Sequence, residues 1–435
     1  MKKIFLCALC LLCSFHSMAS AETMISESQY QVLESNLQEL NQVVMELKNT
    51  VDSQKVEIEY LKSNQIRGSE PAQTAALPPV TSQGSRTLQG RWNPDVGVVA
   101  DAVLSQDSPR SDGEGADRLS VRETELVFGS PVDPYSRLDA TISFSDFEDP
   151  GLEEAYYTHF DIFGSGITGR LGRFKPMVGK AASVHRDSLD TVDEPLVVQH
   201  YFGLEGFNKS GADIARDIEL PWAVTHRLTL GILEGGNGEG GTLFGETRRR
   251  PTIYTHLKNY ADLNDSTGLE MGITQLFGSR DEDSGFESSV LGFDVTLIHH
   301  YEDQRHVKIQ SEGYRLSRSK SFYSLEDPVS GNVTFQDLDD AKNLWGGYSL
   351  LDWRFDPRWA AGFRFDDLQL VETADNFANP DSHEVGYTGY LTFYQSEFAR
   401  WRLQLTHVDL TNGEDDNRFF VQGTFAIGEH KHKLQ

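Results

Sequence analysis

The chain has 435 residues, with 39 Lys and Arg against 66 Asp and Glu, for a formal net charge of −27. That acidic balance excludes nucleic acid as a partner, because phosphates bind basic surfaces, and a content of 25 Phe and 15 Tyr is too aromatic for a disordered acidic chain. No run beyond the N-terminus reaches the roughly 18 apolar residues of a spanning helix, and Cys7, Cys10 and Cys13 all fall within the first 13 residues, which excludes a disulfide or zinc-finger scaffold.

Residues 1–21 read as a secretory signal peptide. Lys2 and Lys3 form a charged start, Ile4 to Phe15 an apolar stretch, and Ala19-Ser20-Ala21 a cleavage site. The mature chain is then exported, cysteine-free and independent of disulfides. Residues 22–65 predict an α-helical coiled coil. Tyr30, Leu37, Val44, Val51 and Ile58 occupy one heptad position, and Leu33, Leu40, Leu47 and Leu61 the other. A period of 3.5 sustained this long marks a seam between helices of different chains, so the chain is expected to self-associate, as a dimer or a trimer. Residues 66–91 lose the period and gather Pro, Ser, Thr and Gln, including Ala75-Ala76-Leu77-Pro78-Pro79, which makes them a linker.

Residues 92–435 read as an all-β domain. Segments about ten residues long alternate apolar and polar side chains: Leu138, Ala140, Ile142 and Phe144 against Arg137, Asp139, Thr141 and Ser143, or Leu291, Phe293, Val295 and Leu297 against Gly292, Asp294 and Thr296. A soluble sandwich has the same period of two. The connections discriminate. Long polar links at 105–117, 181–209, 237–249, 278–286, 317–343 and 372–383 alternate with tight ones near Asp133-Pro134, Gly164-Ser165-Gly166, Asn264-Asp265-Ser266, Asp356-Pro357 and Ser396-Glu397. Long loops at one end and short turns at the other are the asymmetry of a transmembrane antiparallel β-barrel. The expectation is about sixteen strands around an aqueous lumen in a Gram-negative outer membrane. The coiled coil would lie in the periplasm, and Trp345, Trp353, Trp359 and Trp401 in interfacial girdles.

Over residues 92–212 the chain resembles the phosphate-selective-porin-like outer-membrane proteins, and among them the zinc-regulated branch. The resemblance rests on Asn93-Pro94 and Asp101, Leu119-Ser120-Val121-Arg122-Glu123-Thr124-Glu125-Leu126, Asp133-Pro134-Tyr135-Ser136-Arg137-Leu138-Asp139, Leu152-Glu153-Glu154-Ala155-Tyr156, Gly172-Arg173-Phe174, Asp193-Glu194-Pro195-Leu196-Val197 and Phe202-Gly203-Leu204-Glu205-Gly206, in that order. It implies a trimeric channel with a coiled-coil extension and a loop folded into the lumen. Two departures stand out. The tail runs Gly428-Glu429-His430-Lys431-His432 and ends Leu434-Gln435, without the family's terminal aromatic. The inward faces also mix signs instead of forming the basic ladder that phosphate needs.

The expected constriction is the loop at 181–209, with Arg186, Asp187, Asp190, Asp193, Glu194 and Glu205. Its acidic excess predicts a pore that prefers cations or selects weakly. Glu123, Glu125, Arg137, Asp139, Arg364 and Asp366 are expected on the lumen wall as ion pairs that hold its shape. His430 and His432 form half of a zinc site at most, so neither metal nor cofactor is expected. Arg248-Arg249-Arg250 follows a Gly-rich outer loop, where it could meet lipopolysaccharide. No Gly-x-Ser-x-Gly elbow, His-Glu-x-x-His or phosphate loop is present, so no enzyme is expected. The expected partners are outer-membrane lipid, lipopolysaccharide, the barrel assembly machinery, other copies of the chain, and small solutes or ions. The reading is a passive porin; the alternatives are an envelope anchor tethered through the coiled coil, or an adhesin.

Overall fold

A computed structural model describes residues 94–428 except 109–116, 147–148, 205, 238–240, 245–249, 280–287, 302–303, 319–320, 327–332, 339–341, 372–381, 412 and 414. The expected signal peptide, coiled coil and linker, Glu205 and the His430-x-His432 tail lie outside the described residues.

The strands are β1 (Asp95–Ser108), β2 (Leu119–Asp133), β3 (Ser136–Phe144), β4 (Gly151–His159), β5 (Ile167–Phe174), β6 (Lys209–Ile218), β7 (Thr225–Leu233), β8 (Thr252–Asn264), β9 (Thr267–Gly278), β10 (Ser288–His300), β11 (His306–Arg318), β12 (Ser321–Glu326), β13 (Val333–Leu338), β14 (Lys342–Asp356), β15 (Trp359–Gln369), β16 (His383–Ser396), β17 (Ala399–Asp409) and β18 (Asp415–Gly428). All but β12 and β13 join one antiparallel sheet, in which β1 pairs with β18 from Gly97↔Gly428 to Ser108↔Asn417 and closes the barrel. The barrel therefore has sixteen strands. β12 and β13 pair with each other inside the long 317–343 link, so β11 pairs with β14. The sequence predicts a plain loop there; the structure has a hairpin.

Four tight turns share one local device. The first residue's side chain accepts a hydrogen bond from the backbone N–H two residues on: Tyr135 N to Asp133 (2.8 Å), Ser266 N to Asn264 (3.0 Å), Arg358 N to Asp356 (2.9 Å) and Phe398 N to Ser396 (3.2 Å). Such a side chain imitates one half of a backbone turn and leaves the strands free to pair at once. Each of these hairpins carries a register shift beside its turn, such as that between Arg354 and Asp356.

The alternation sorts as expected. Gly292, Asp294 and Thr296 are buried inside, and Phe293 and Val295 are exposed outside. The outer face of the sheet is consequently apolar, with Leu138, Ile273, Phe293, Leu351, Phe363 and Leu403 among its exposed side chains. Trp353, Trp359 and Trp401 stand outward at the short-turn end, in ring contact with Phe355, Phe393 and Phe425 at 5.5, 4.8 and 5.3 Å. Trp345 is exposed toward the long-loop end.

The lumen is more filled than the sequence predicts. Leu276, Val290, Leu316, Leu344, Leu368 and Val408 point inward near the long-loop ends of their strands and pack against apolar residues of the β5–β6 connection. That half of the interior is a packed core, because inward positions there are aliphatic and need a cover.

Close backbone approach makes Gly172 in β5 a sensitive position: its φ is +138°, and a Cβ would lie 2.2 Å from the Ala155 carbonyl oxygen. Gly172→Ala is expected to destabilise the folded barrel by about 1–3 kcal/mol, read as a lower temperature for loss of the compact band in heat-modifiability gels. Gly313→Ala, whose Cβ would meet nothing within 4 Å, serves as the control and should leave that temperature unchanged.

Candidate functional site

The connection from β5 to β6, residues 175–208, carries most of the loop that the resemblance places in the lumen, and its described residues pack there. Short helical turns at Ala181–Ser183, Arg186–Ser188 and Val198–Phe202 shape it. Its apolar residues decide its position. Val178, Ala182, Val197, Val198, Tyr201, Phe202 and Phe207 are all essentially buried, against Leu233, Tyr254, Tyr314, Leu344, Tyr348 and Leu368 of the wall. Phe202 lies edge-on to Tyr314 (4.9 Å) and to Phe207 (5.5 Å). At about 1.5–3 kcal/mol for each large side chain, this burial offsets a substantial part of the cost of ordering the loop, about 1–2 kcal/mol per residue.

Polar contacts then fix its course. At its start, Glu312 of β11 accepts hydrogen bonds from the Lys180 and Ala181 amides (2.9 and 2.7 Å) and from Tyr314 and Tyr348. In its middle, three buried arginines hold main-chain carbonyls. Arg400 donates to Asp187 O (2.6 Å), and Arg402 to Leu189 O (3.1 Å) and Thr191 O (2.8 Å). Arg364 donates to Asp193 O (2.8 Å) and to the Thr191 hydroxyl (2.7 Å). Gln404 accepts from the Val192 amide and donates to the Asp193 carboxylate, each at 2.7 Å. Beyond this, Leu196 N donates to Asp366 (3.0 Å) and Tyr201 OH to Gln369 O (2.9 Å).

The described candidate constriction charges are engaged, two by the wall and the others within the loop itself. Asp190 pairs with Lys308 (2.6 Å), Asp193 with Arg364 (3.3 Å), and Glu194 with Arg186 (3.5 Å), while Asp187 is buried beside Ser188. The loop is not the electronegative ring that its composition predicts. Its apolar spacing was the stronger signal: an outer loop in water has no reason to carry Val197-Val198 and Tyr201-Phe202.

The wall residues fall where the alternation puts them. Arg364 and Asp366 pair at 2.7 Å, Arg137 and Asp139 at 2.8 Å, both as expected. Glu123 and Glu125 are buried on β2 and do not meet Arg137; His185 approaches Glu125 (3.3 Å), Glu153 (3.0 Å) and Glu154 (3.2 Å) instead. Burial alone disfavours a charged imidazole, but Glu153 and Glu125 outweigh it and hold the His185 pKa well above its ordinary value. Sequence spacing missed Arg400, Arg402 and His185, since their partners are distant in the chain.

A further regularity concerns exposure. In most lumenal pairs the cation is the wetter partner: side-chain exposure is 32% for Arg137 against 7% for Asp139, 21% for Arg170 against 2% for Asp213, and 19% for Arg122 against 3% for Asp101. Lys180 and Lys258 likewise stand more open than Glu270, which both contact. Asp190, more open than Lys308, is an exception.

Arg364→Leu leaves buried Asp366 without its guanidinium and should cost about 3–5 kcal/mol in chemical unfolding of the folded barrel. Arg402→Leu frees two loop carbonyls, so cleavage within 186–204 by added protease should accelerate. The exposed Arg227–Asp217 pair provides a control: Arg227→Leu should change neither measurement.

The sequence matches no protein-family model. It is 27% identical over 338 residues to an uncharacterized protein of Aquifex aeolicus, covering 72% of this chain and 69% of that protein. Among solved structures it is similar to OprB of Pseudomonas putida (TM-score 0.49, 11% identity, 77% of this chain and 94% of that one). It is also similar to the anion-selective porin of Comamonas acidovorans (TM-score 0.48, 10% identity, 76% and 98%). The outer membrane channel DcaP of Acinetobacter baumannii aligns comparably (TM-score 0.46, 11% identity, 77% and 96%).

Proposed function

We propose that the protein is a passive diffusion channel of a Gram-negative outer membrane, for small hydrophilic solutes or ions. The observation that carries this reading is a closed sixteen-strand barrel with an apolar exterior and a charged interior, into which the β5–β6 loop folds. A bilayer requires every backbone group to be paired, and closure through β1 and β18 provides that pairing. An apolar outer face with aromatic rings at both ends suits the hydrocarbon slab and its two interfaces. The inward loop narrows the lumen, so conductance is small. The expected coiled coil would join three copies in the periplasm, and the expected barrel assembly machinery would insert them. β-branched residues at one heptad position with leucine at the other favour two strands by themselves; three copies are preferred because the resemblance implies a trimer and an attached barrel can fix the count.

Selectivity follows from what water meets in the lumen. Of the loop carboxylates, Asp193 and Glu194 are engaged by Arg364 and Arg186 and Asp190, beside Lys308, alone stays comparably open, whereas Arg137, Arg170, Lys180 and Lys258 are all partly open. The reading is therefore a weak preference for anions, in place of the cation preference that the acidic sequence suggests. Charge on a narrow wall acts on each passing ion, while that on outer loops is screened within roughly 8 Å at physiological ionic strength.

Planar bilayers containing the folded chain should show discrete open-channel steps and a reversal potential displaced slightly toward anions in a salt gradient. Lys258→Glu should move that potential toward cations. Folded protein that gives no steps at all would leave the envelope-anchor alternative ahead. Orientation has its own test: protease added to intact cells should cut within 237–249 or 317–343 and spare 355–357. The opposite pattern would invert the topology.

A further inference from the structure

His185 stands at the junction of the inward loop and the wall, among side chains that neither the latch nor the channel reading uses. Its Nδ1 lies 3.0 Å from Glu153 Oε1 and 3.3 Å from Glu125 Oε1, and Nε2 lies 3.2 Å from Glu154 Oε2. All four side chains are at least nine-tenths buried. The register shift between Thr141 and Ile142 turns both Glu153 and Glu154 into the interior, where strict alternation would admit one.

Two features of this cluster exceed what an ion pair needs. An imidazole N–H points in one direction, yet Nδ1 has two carboxylate oxygens beside it. Nδ1 lies 3.0 and 3.3 Å from the two carboxylate oxygens, close to the edge of a tetrahedron around a metal ion (about 3.3 Å for bonds of about 2.0 Å), and one donor atom from each of Glu125, Glu153 and His185 falls within 4.8 Å of the others. Glu154 occupies the place of the carboxylate that orients a metal-bound histidine through its other ring nitrogen. The second oxygen of Glu153, Oε2, is buried and accepts no hydrogen bond. It is a ready additional donor. Glu123, Glu125, Glu153 and Glu154 also set four carboxylates against the Lys175 ammonium and one imidazole, an imbalance that a dication offsets.

We propose that Glu125, Glu153 and His185 bind a divalent transition-metal ion that staples the inward loop to β2 and β4. One imidazole and two carboxylates suit zinc or manganese; calcium and magnesium require more oxygen ligands than are present. Lys175 lies 3.2 Å from Glu153 Oε1 and would hold that oxygen's other lone pair, at some cost in affinity. Bound metal takes the place of any proton on Nδ1.

The test uses the folded full chain in detergent, stripped with chelator, verified by heat-modifiability, and titrated calorimetrically with Zn²⁺. The background is the His407→Ala/His430→Ala/His432→Ala variant, which removes the exposed His407–Asp409–Asp415 cluster and the tail histidines as competitors. One tight equivalent should bind, and it should be lost in the near-isosteric Glu153→Gln and in His185→Gln. Lys175→Met should tighten binding by about tenfold or more, whereas a purely ionic cluster would only lose stability. Bound metal should also slow proteolysis within 175–190. A folded barrel that takes up no equivalent, or whose uptake is unmoved by Glu153→Gln and His185→Gln, overturns the proposal and leaves a protonated imidazole among its carboxylates.

Discussion

Everything in this molecule depends on the pairing of its first barrel strand with its last. From Gly97↔Gly428 to Ser108↔Asn417, β1 and β18 exchange hydrogen bonds along nearly their whole length, and the barrel sheet is left with no edge. An open sheet with an exterior of Phe, Leu and Trp would aggregate, or leave a row of amides unpaired in hydrocarbon. Closure resolves both problems and creates a third. An interior wide enough for water must be shaped by something other than strand pairing.

The inward loop does that shaping, and two kinds of force divide the work. Apolar burial brings Tyr201, Phe202 and the valines beside them against the aliphatic rim on the long-loop side. Burial is nondirectional, however, and would tolerate many loop courses. Arg364, Arg400 and Arg402 select one, because guanidinium groups donate in a fixed fork and here meet particular carbonyls. Sheet, cover and latch thus act in sequence: the sheet sets the radius, hydrophobic contact fills half of it, and directional bonds fix what remains.

Much of this was legible in the sequence because it is local. The tight turns announce themselves as Asp133-Pro134, Asn264-Asp265 and Asp356-Pro357, where a short side chain bonds its own backbone. Period-two alternation assigned Arg364, Asp366, Arg137 and Asp139 to the inside without any tertiary information. What stayed hidden is non-local. Arg402 and Thr191 are separated by 211 residues, and no spacing rule links them. The acids of the loop were visible, but their partners were not, so composition suggested a negative ring where the structure has neutralised pairs. The hairpin of β12 and β13 is two short strands inside one long polar link, too short to show a period of their own.

The latch has a bearing on how such a pore can change. Arg400 and Arg402 bond the main-chain oxygens of Asp187, Leu189 and Thr191, and so read none of those residues' identities. A peptide carbonyl is supplied by any amino acid. Side chains along this stretch that do not themselves bond the wall, unlike Asp190, Thr191 and Asp193, can therefore be exchanged while the anchoring acceptors persist. The grip on the loop and the chemistry it displays are thus separately adjustable without first losing the fold.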